Sequence, residues 1–191
     1  MHDPTLFALT VLLILGTPGP TNTLLATGGG TVGFRRALPL VPAEAAGYSI
    51  SILLVGLLLG PLIAEVPAVA LGLRLAVGAY LAWLAVRLWQ RGAVDPSVAP
   101  VAPRQVFVTT LLNPKALVFA LGVIPFGAPG WPAYFLAFLA LLVSVALGWI
   151  GVGAALGHAA GAAGRQGLVP RLGAAVVGGF AVVLMVGPLL R

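Results

Sequence analysis

The chain has no cysteine and very little charge. Only 7% of its 191 residues are Asp, Glu, Lys or Arg, whereas a soluble domain carries about a quarter. The absence of cysteine excludes a disulfide scaffold, a thiol electron carrier and a Cys-ligated metal site. The scarcity of charge excludes a surface that faces water on all sides.

Two kinds of functional motif are also missing. The sequence contains no Walker loop and no paired-carboxylate site, so it does not encode an ATP-driven motor. The net charge of +6 comes from Arg residues near the ends of apolar stretches, without the aromatic interleaving typical of nucleic-acid binding. We therefore predict no nucleic-acid partner and no cofactor. The Arg residues are interpreted as topology signals and as contacts to anionic membrane lipid.

Long apolar runs dominate what is present. The chain is 60% hydrophobic with a mean hydropathy of +1.12, and short polar loops separate the runs. This pattern is typical of an all-α, polytopic membrane protein. Since no basic residue and no A-x-A cleavage site flank the N-terminal run, it is kept as a span. The predicted transmembrane bundle has six helices, at 5–33 (interrupted by prolines), 38–62, 68–89, 105–126, 132–157 and 168–190.

Basic residues are concentrated in alternate loops. The first, third and fifth loops hold Arg35, Arg36, Arg87, Arg91, Arg104, Arg165 and Arg171. The second loop has only Glu65, and the fourth, at 127–131, has no charge. The positive-inside rule therefore makes the odd loops cytoplasmic and places both termini outside the cytoplasmic membrane. Arg74 and Arg191 do not fit this pattern, although Arg74 could snorkel to the outer face.

A turn-rich stretch divides the single domain, 1–191, into two halves of three spans. We predict a first repeat at 1–91, a cytoplasmic linker at 92–104 and a second repeat at 105–191. An odd number of spans per half gives the halves opposite orientations, as in the inverted repeats of many secondary transporters. The alternative is that Gly-rich apolar helices resemble each other by chance. The segments that match between the halves are Gly78-Ala79-Tyr80-Leu81 with Gly178-Gly179-Phe180-Ala181, and the breaker Pro18 with Pro114.

Two prolines interrupt the first span. The stretch before them covers only about 18 Å as a helix, which is too short to cross a membrane. The break leaves backbone carbonyls without donors, so it must lie against protein or a wet cavity. A half-helix that begins near Pro20 would place free N–H groups and a positive dipole end deep in the membrane. The motif reads Thr17-Pro18-Gly19-Pro20-Thr21-Asn22.

The fourth span contains a helix start, Asn113-Pro114-Lys115. Asn is a preferred N-cap and Pro a preferred first helical residue. In the inverted topology the two positive helix ends meet near mid-membrane, where Lys115 adds a charge and completes a cradle for a carboxylate. A buried Lys can also lose its proton, which suits proton-coupled transport. The alternative is that Lys115, the one lysine of the chain, snorkels to headgroups at the cytoplasmic end.

Three further features are weaker. Glu44, about two turns into the second span, is a possible coupling or ammonium site. The alternative is that it pairs with Arg35 or Arg36 near the cytoplasmic surface. His158 is expected at a membrane edge. The spacing of Gly153, Gly157 and Gly161 indicates close helix packing, within a subunit or in a homodimer.

The two proline motifs, Thr17 to Asn22 and Leu112-Asn113-Pro114-Lys115-Ala116, resemble the hallmark motifs of the LysE/RhtB family of amino-acid exporters. The segment beginning at Gly78 is similar to that family too, and the resemblance covers nearly the whole chain. It implies a cytoplasmic-membrane protein of about six helices that exports amino acids or related metabolites, driven by the proton gradient. It also implies that the two proline motifs line the transport path. No role for Glu44 follows from the resemblance.

Two other functions are alternatives to transport of an organic solute. A divalent-metal exporter of a related superfamily needs oxygen or His ligands, but only Glu44 lies inside a span, while Asp3, Glu65 and Asp95 lie in tails or loops. An intramembrane enzyme acting on lipid needs an acid or base with an oriented partner, for which His158 and Glu44 are the candidates. Neither set forms a convincing constellation, so we predict a transporter and not an enzyme.

Overall fold

The computed structural model describes residues 3–59, 67–93, 100–162 and 168–186, and these are helical apart from short connections. Wider π-helical turns follow directly after Leu54, over Val55–Leu59, and directly after Val118, over Phe119–Val123. The predictions about Glu65, Asp95, Arg165 and Arg191 concern residues outside these ranges. The helices are α1 Pro4–Gly16, α2 Pro20–Val32, α3 Phe34–Ala37, α4 Leu40–Leu54, α5 Pro67–Ala93, α6 Pro103–Leu111, α7 Pro114–Val118, α8 Trp131–Ala162 and α9 Leu168–Val186.

Several helices are long and apolar enough to cross a membrane. Phe34–Leu58, which joins α3 and α4, and Trp131–Ala162 meet this criterion without a sharp bend. Two bent pairs also meet it when each is taken as one span: α1 with α2, bent by 65°, and α6 with α7 and its π-helical turn, bent by 45°. The described residues thus contain between two and four candidate spans. Both bends lie at the breaks predicted from the proline motifs.

The first break is stabilised by a side chain that replaces the missing backbone donors. Asn22 Nδ2 donates to the carbonyl oxygens of Leu15, at 2.6 Å, and Thr17, at 3.0 Å. The bend takes both carbonyls out of the helical hydrogen-bond pattern, and in an apolar environment they need other donors. The Thr17 carbonyl also accepts from Lys115 Nζ. The bend is therefore a defined local structure that the chain itself satisfies.

Glycines bring α2 and α8 into backbone contact. A Cβ atom added to Gly153 would overlap the backbone of Ala26, and one added to Gly157 would overlap that of Gly30. Gly161, in contrast, has no atom within 4 Å of such a Cβ. The predicted close packing is confirmed for Gly153 and Gly157, and it lies within one chain.

Helices α5 and α9 pack against each other. A Cβ on Gly78 would meet Met185 Cγ at 2.5 Å, and one on Gly178 would meet Ala85 Cβ at 3.5 Å. Seven residues further along α5, the contact thus lies seven residues earlier on α9. The two helices therefore run antiparallel.

Two apolar clusters form the interior, and buried polar residues lie where the chain passes between them. One cluster includes Leu24, Val41 and Val106; the other includes Leu15, Tyr48 and Ala116. Along α1–α2, α4 and α6–α7 the chain therefore leaves one cluster and enters the other. The buried polar residues between these points are Thr21, Asn22, Thr23, Glu44, Thr109, Thr110 and Asn113.

Candidate functional site

Asn113 joins three helices at the second break. Its side chain is 4% exposed, and its Nδ2 donates to Thr21 Oγ1 at 2.9 Å and to the Tyr48 hydroxyl at 3.2 Å. Its Oδ1 accepts the backbone N–H of Lys115 at 3.0 Å, which is the predicted N-cap contact. The start of α2, the middle of α4 and the start of α7 are thus held together by one amide group.

Threonines extend this network to two further helices. Thr110 Oγ1 donates to the carbonyl oxygen of Val106 at 2.7 Å and lies 3.3 Å from Thr21 Oγ1. Thr109 Oγ1 and the Tyr80 hydroxyl form a hydrogen bond of 3.1 Å between α6 and α5. Sequence reasoning did not select these residues. A signal was present, because Thr109 and Thr110 lie one helical turn before Asn113 in the sequence.

Lys115 reaches across to the first break. Its Nζ donates to the carbonyl oxygen of Thr17. A Cβ on Gly19 would lie 3.3 Å from both Cε and Nζ of Lys115, so the glycine leaves room for the lysine side chain. The same Cβ would lie 3.9 Å from the Phe180 ring, which places α9 beside the break. The structure therefore brings the two proline motifs together.

The predicted site residues differ in what they offer a ligand. Thr17 and Pro18 are exposed, Pro114 and Lys115 are half-buried, and Gly19, Pro20, Asn22 and Asn113 are buried. Both asparagine side chains are already engaged in holding the breaks. The start of α7 is capped by Asn113, whereas no side chain caps the start of α2. The groups that remain are the Lys115 ammonium and the backbone N–H groups of Thr21 and Asn22, since Pro20 has no N–H and that of Thr23 donates to the Gly19 carbonyl.

Glu44 lies beside this network and is not paired with the nearby arginines. Its side chain is 2% exposed, and within the described ranges no hydrogen-bond partner reaches its Oε2. It precedes Tyr48 by one helical turn, and Lys115 and Tyr48 both interact with it electrostatically. Arg35 and Arg36 are exposed. The alternative of a surface pair is therefore wrong, and Glu44 belongs to the polar interior.

Metal export and catalysis on a lipid would each require a cluster of suitable side chains. No group of three or more His, Cys, Asp or Glu side chains that could hold a metal ion occurs in the part of the chain that is described. His158 is exposed on α8, whereas Glu44 is buried on α4.

Comparisons with known proteins agree with the resemblance of the motifs. The model of the LysE type translocator family matches residues 12–187. Homoserine/homoserine lactone efflux proteins of Salmonella typhimurium and Salmonella typhi are each 32% identical to this chain over 127 residues. The aligned region covers 62% of this chain and 61% of each relative, so less than two thirds of the relatives' length is matched. No solved structure matches the chain. With the family model spanning nearly its whole length, this multi-pass, all-helical membrane protein belongs to the LysE type translocator family.

Proposed function

We propose that this chain is a secondary active transporter that exports amino acids or related small metabolites across the cytoplasmic membrane in exchange for protons. The observation that carries this proposal is the position of Lys115, whose ammonium group lies at the break of the first span beside the uncapped start of α2. A substrate carboxylate there would accept hydrogen bonds from an ammonium group and from helix N–H groups together. The Salmonella relatives are named for efflux of homoserine, an amino acid with such a carboxylate, which supports this substrate class; the lactone in the same name has no free carboxylate.

The proposed architecture is six spans in an inverted 3+3 repeat. It is supported by the two bent pairs and by the antiparallel packing of α5 and α9, which would be the third spans of the two halves. In this arrangement the broken first and fourth spans approach each other from opposite sides of the membrane. Thr17, Pro18, Gly19, Pro20, Asn22, Asn113, Pro114 and Lys115 line the proposed path or support its walls.

Labelling of single cysteines tests the orientation, because the chain contains no native cysteine. Arg36 and Gly130 are exposed in the first and fourth connections, and a Cβ at Gly130 meets no atom within 4 Å. In intact cells we expect a membrane-impermeant maleimide to label Gly130→Cys but not Arg36→Cys. Permeabilised cells should show labelling of both. The reverse pattern would contradict the proposed topology.

Transport itself is tested with purified protein in sealed liposomes. A panel of labelled amino acids, beginning with L-homoserine, is assayed first for exchange without any gradient and then with an acidic lumen. We expect exchange of one class of amino acid, and accumulation of the same class when protons can leave the lumen. A protonophore should abolish the accumulation but not the exchange. Folded protein that exchanges no member of the panel would contradict the proposed function.

A further inference from the structure

Glu44 is the buried ionisable group that the proposed carboxylate site does not use. A bare carboxylate that is 2% exposed, with one oxygen lacking a hydrogen-bond partner, is unfavourable in an apolar interior. The charge of Lys115 attracts this carboxylate, but the Lys115 ammonium group donates to the Thr17 carbonyl and does not supply the hydrogen bond that Glu44 Oε2 lacks. Glu44 therefore requires either a proton or a second cation when the site is closed.

The groups around Glu44 determine which charges can change its protonation. Lys115 on α7 is the charged group that acts on it from a neighbouring helix, and Tyr48 on α4 is the other titratable group beside it. The Tyr48 hydroxyl already accepts a hydrogen bond from Asn113. From the other helices packed on α4, the described residues that contact this network do not titrate. They are Thr21 of α2, Thr110 of α6 and Phe138 of α8.

Substrate binding can either favour or oppose protonation of Glu44. The first case gives transport of substrate and proton in the same direction, and the second gives exchange of one for the other. Suppose that the substrate interacts with Lys115 alone. Its carboxylate then neutralises the ammonium group, which favours the protonated form of Glu44. Substrate and proton would bind together and move in the same direction. Export against an inward proton gradient needs the opposite linkage, in which substrate binding releases the proton and the proton releases the substrate.

An amino acid provides this opposite linkage through its own ammonium group. We propose that Glu44 binds the substrate ammonium group and a proton in turn, never both, while Lys115 holds the substrate carboxylate. This inference rests on the proposed function and narrows its substrates to zwitterions that carry both groups. In the closed, empty site a protonated Glu44 is neutral, so no bare carboxylate is left buried. The empty carrier then returns only with a proton, and exchange becomes obligatory.

The first test uses the unaltered protein and two matched probes. L-Homoserine carries the ammonium group, and γ-hydroxybutyrate is the same molecule without it. Both are measured as inhibitors of labelled L-homoserine exchange at successively lower pH. Proton competition predicts that the apparent affinity for L-homoserine falls about tenfold for each pH unit once Glu44 is mostly protonated. Down to about pH 6, where both probes keep an ionised carboxylate, the affinity for γ-hydroxybutyrate should not fall, and an equal fall for both probes would overturn the inference.

The second test replaces the carboxylate by its neutral isostere. Glu44→Gln should retain gradient-free exchange with weaker affinity, lose the pH dependence of that affinity, and fail to accumulate substrate from an acidic lumen. The matched control is Asp3→Asn, which makes the same chemical change at the exposed N-cap of α1 and should behave like the wild type. Gradient-driven accumulation by Glu44→Gln would overturn the inference while leaving the proposed function intact. Absence of amino-acid exchange by the wild type would overturn both.

Discussion

Replacing Lys115 by methionine is expected to reduce amino-acid exchange in liposomes to the background of empty vesicles. Methionine fills a similar volume but removes the ammonium group that lies at the first break. The substrate carboxylate would then have only backbone N–H groups as donors. Loss of a hydrogen bond to a charged group costs up to about 3 kcal/mol, which corresponds to roughly a hundredfold loss of affinity. The initial rate of exchange, measured well below saturation, reports this loss directly.

Two controls separate a binding role of Lys115 from a general loss of charge or folding. Arg104→Met removes an exposed basic side chain from the first turn of α6 and should exchange at the wild-type rate. Aminopropanol keeps the ammonium and hydroxyl groups of homoserine but has no carboxylate, so Lys115→Met should bind it at least as well as the wild type does. A Lys115→Met protein that exchanges normally would show that this lysine does not bind the substrate carboxylate.

The two breaks could be predicted from the sequence because their cause is local. Proline removes an N–H and blocks the preceding carbonyl wherever it occurs in a helix, so Pro18, Pro20 and Pro114 mark the bends without knowledge of the fold. Asn before Pro likewise defines a helix start, and Asn113 does cap the Lys115 N–H as expected. The apolar composition adds the prediction of membrane-spanning helices. The number of spans and their orientation stay predictions.

The partners of the polar side chains could not be predicted, because they come from distant parts of the chain. Thr21 meets Asn113, which is 92 residues away, and Tyr48 meets it across 65. The position of Glu44 could not be predicted for the same reason. A carboxylate two turns into a span can pair with arginines at the surface or lie in the interior. Only the packing of α4 on its neighbours decides for the interior. A place for Asn22 on the substrate path stays a prediction, but the sequence did not indicate that its amide donates to two carbonyls of the break.

Glycine spacing on α8 illustrates an intermediate case. A repeat of small residues every four positions predicts that another helix approaches closely, but it does not identify that helix. The partner is α2, whose Ala26 and Gly30 lie against Gly153 and Gly157. This contact matters for function because α2 begins at the first break. The position of its uncapped N-terminus thus depends on how closely α8 can approach.

Gly153→Ala is therefore expected to destabilise the protein strongly and to impair transport together with folding. The added Cβ would overlap the backbone of Ala26, and a backbone cannot rotate away as a side chain can. Overpacking typically costs about 1–3 kcal/mol even where side chains can adjust, so a larger loss is expected here. The measurements are the midpoint of thermal unfolding in detergent and the fraction of monodisperse protein.

The matched control for this substitution lies on the same helix. Gly148→Ala adds the same methyl group where no atom lies within 4 Å, and the higher helix propensity of alanine should stabilise it by up to about 1 kcal/mol. The two variants are thus expected to shift the unfolding midpoint in opposite directions, with Gly157→Ala following Gly153→Ala. Equal stability of Gly153→Ala and Gly148→Ala would show that α2 does not lie against α8. The carboxylate site built on the start of α2 would then lose its structural basis.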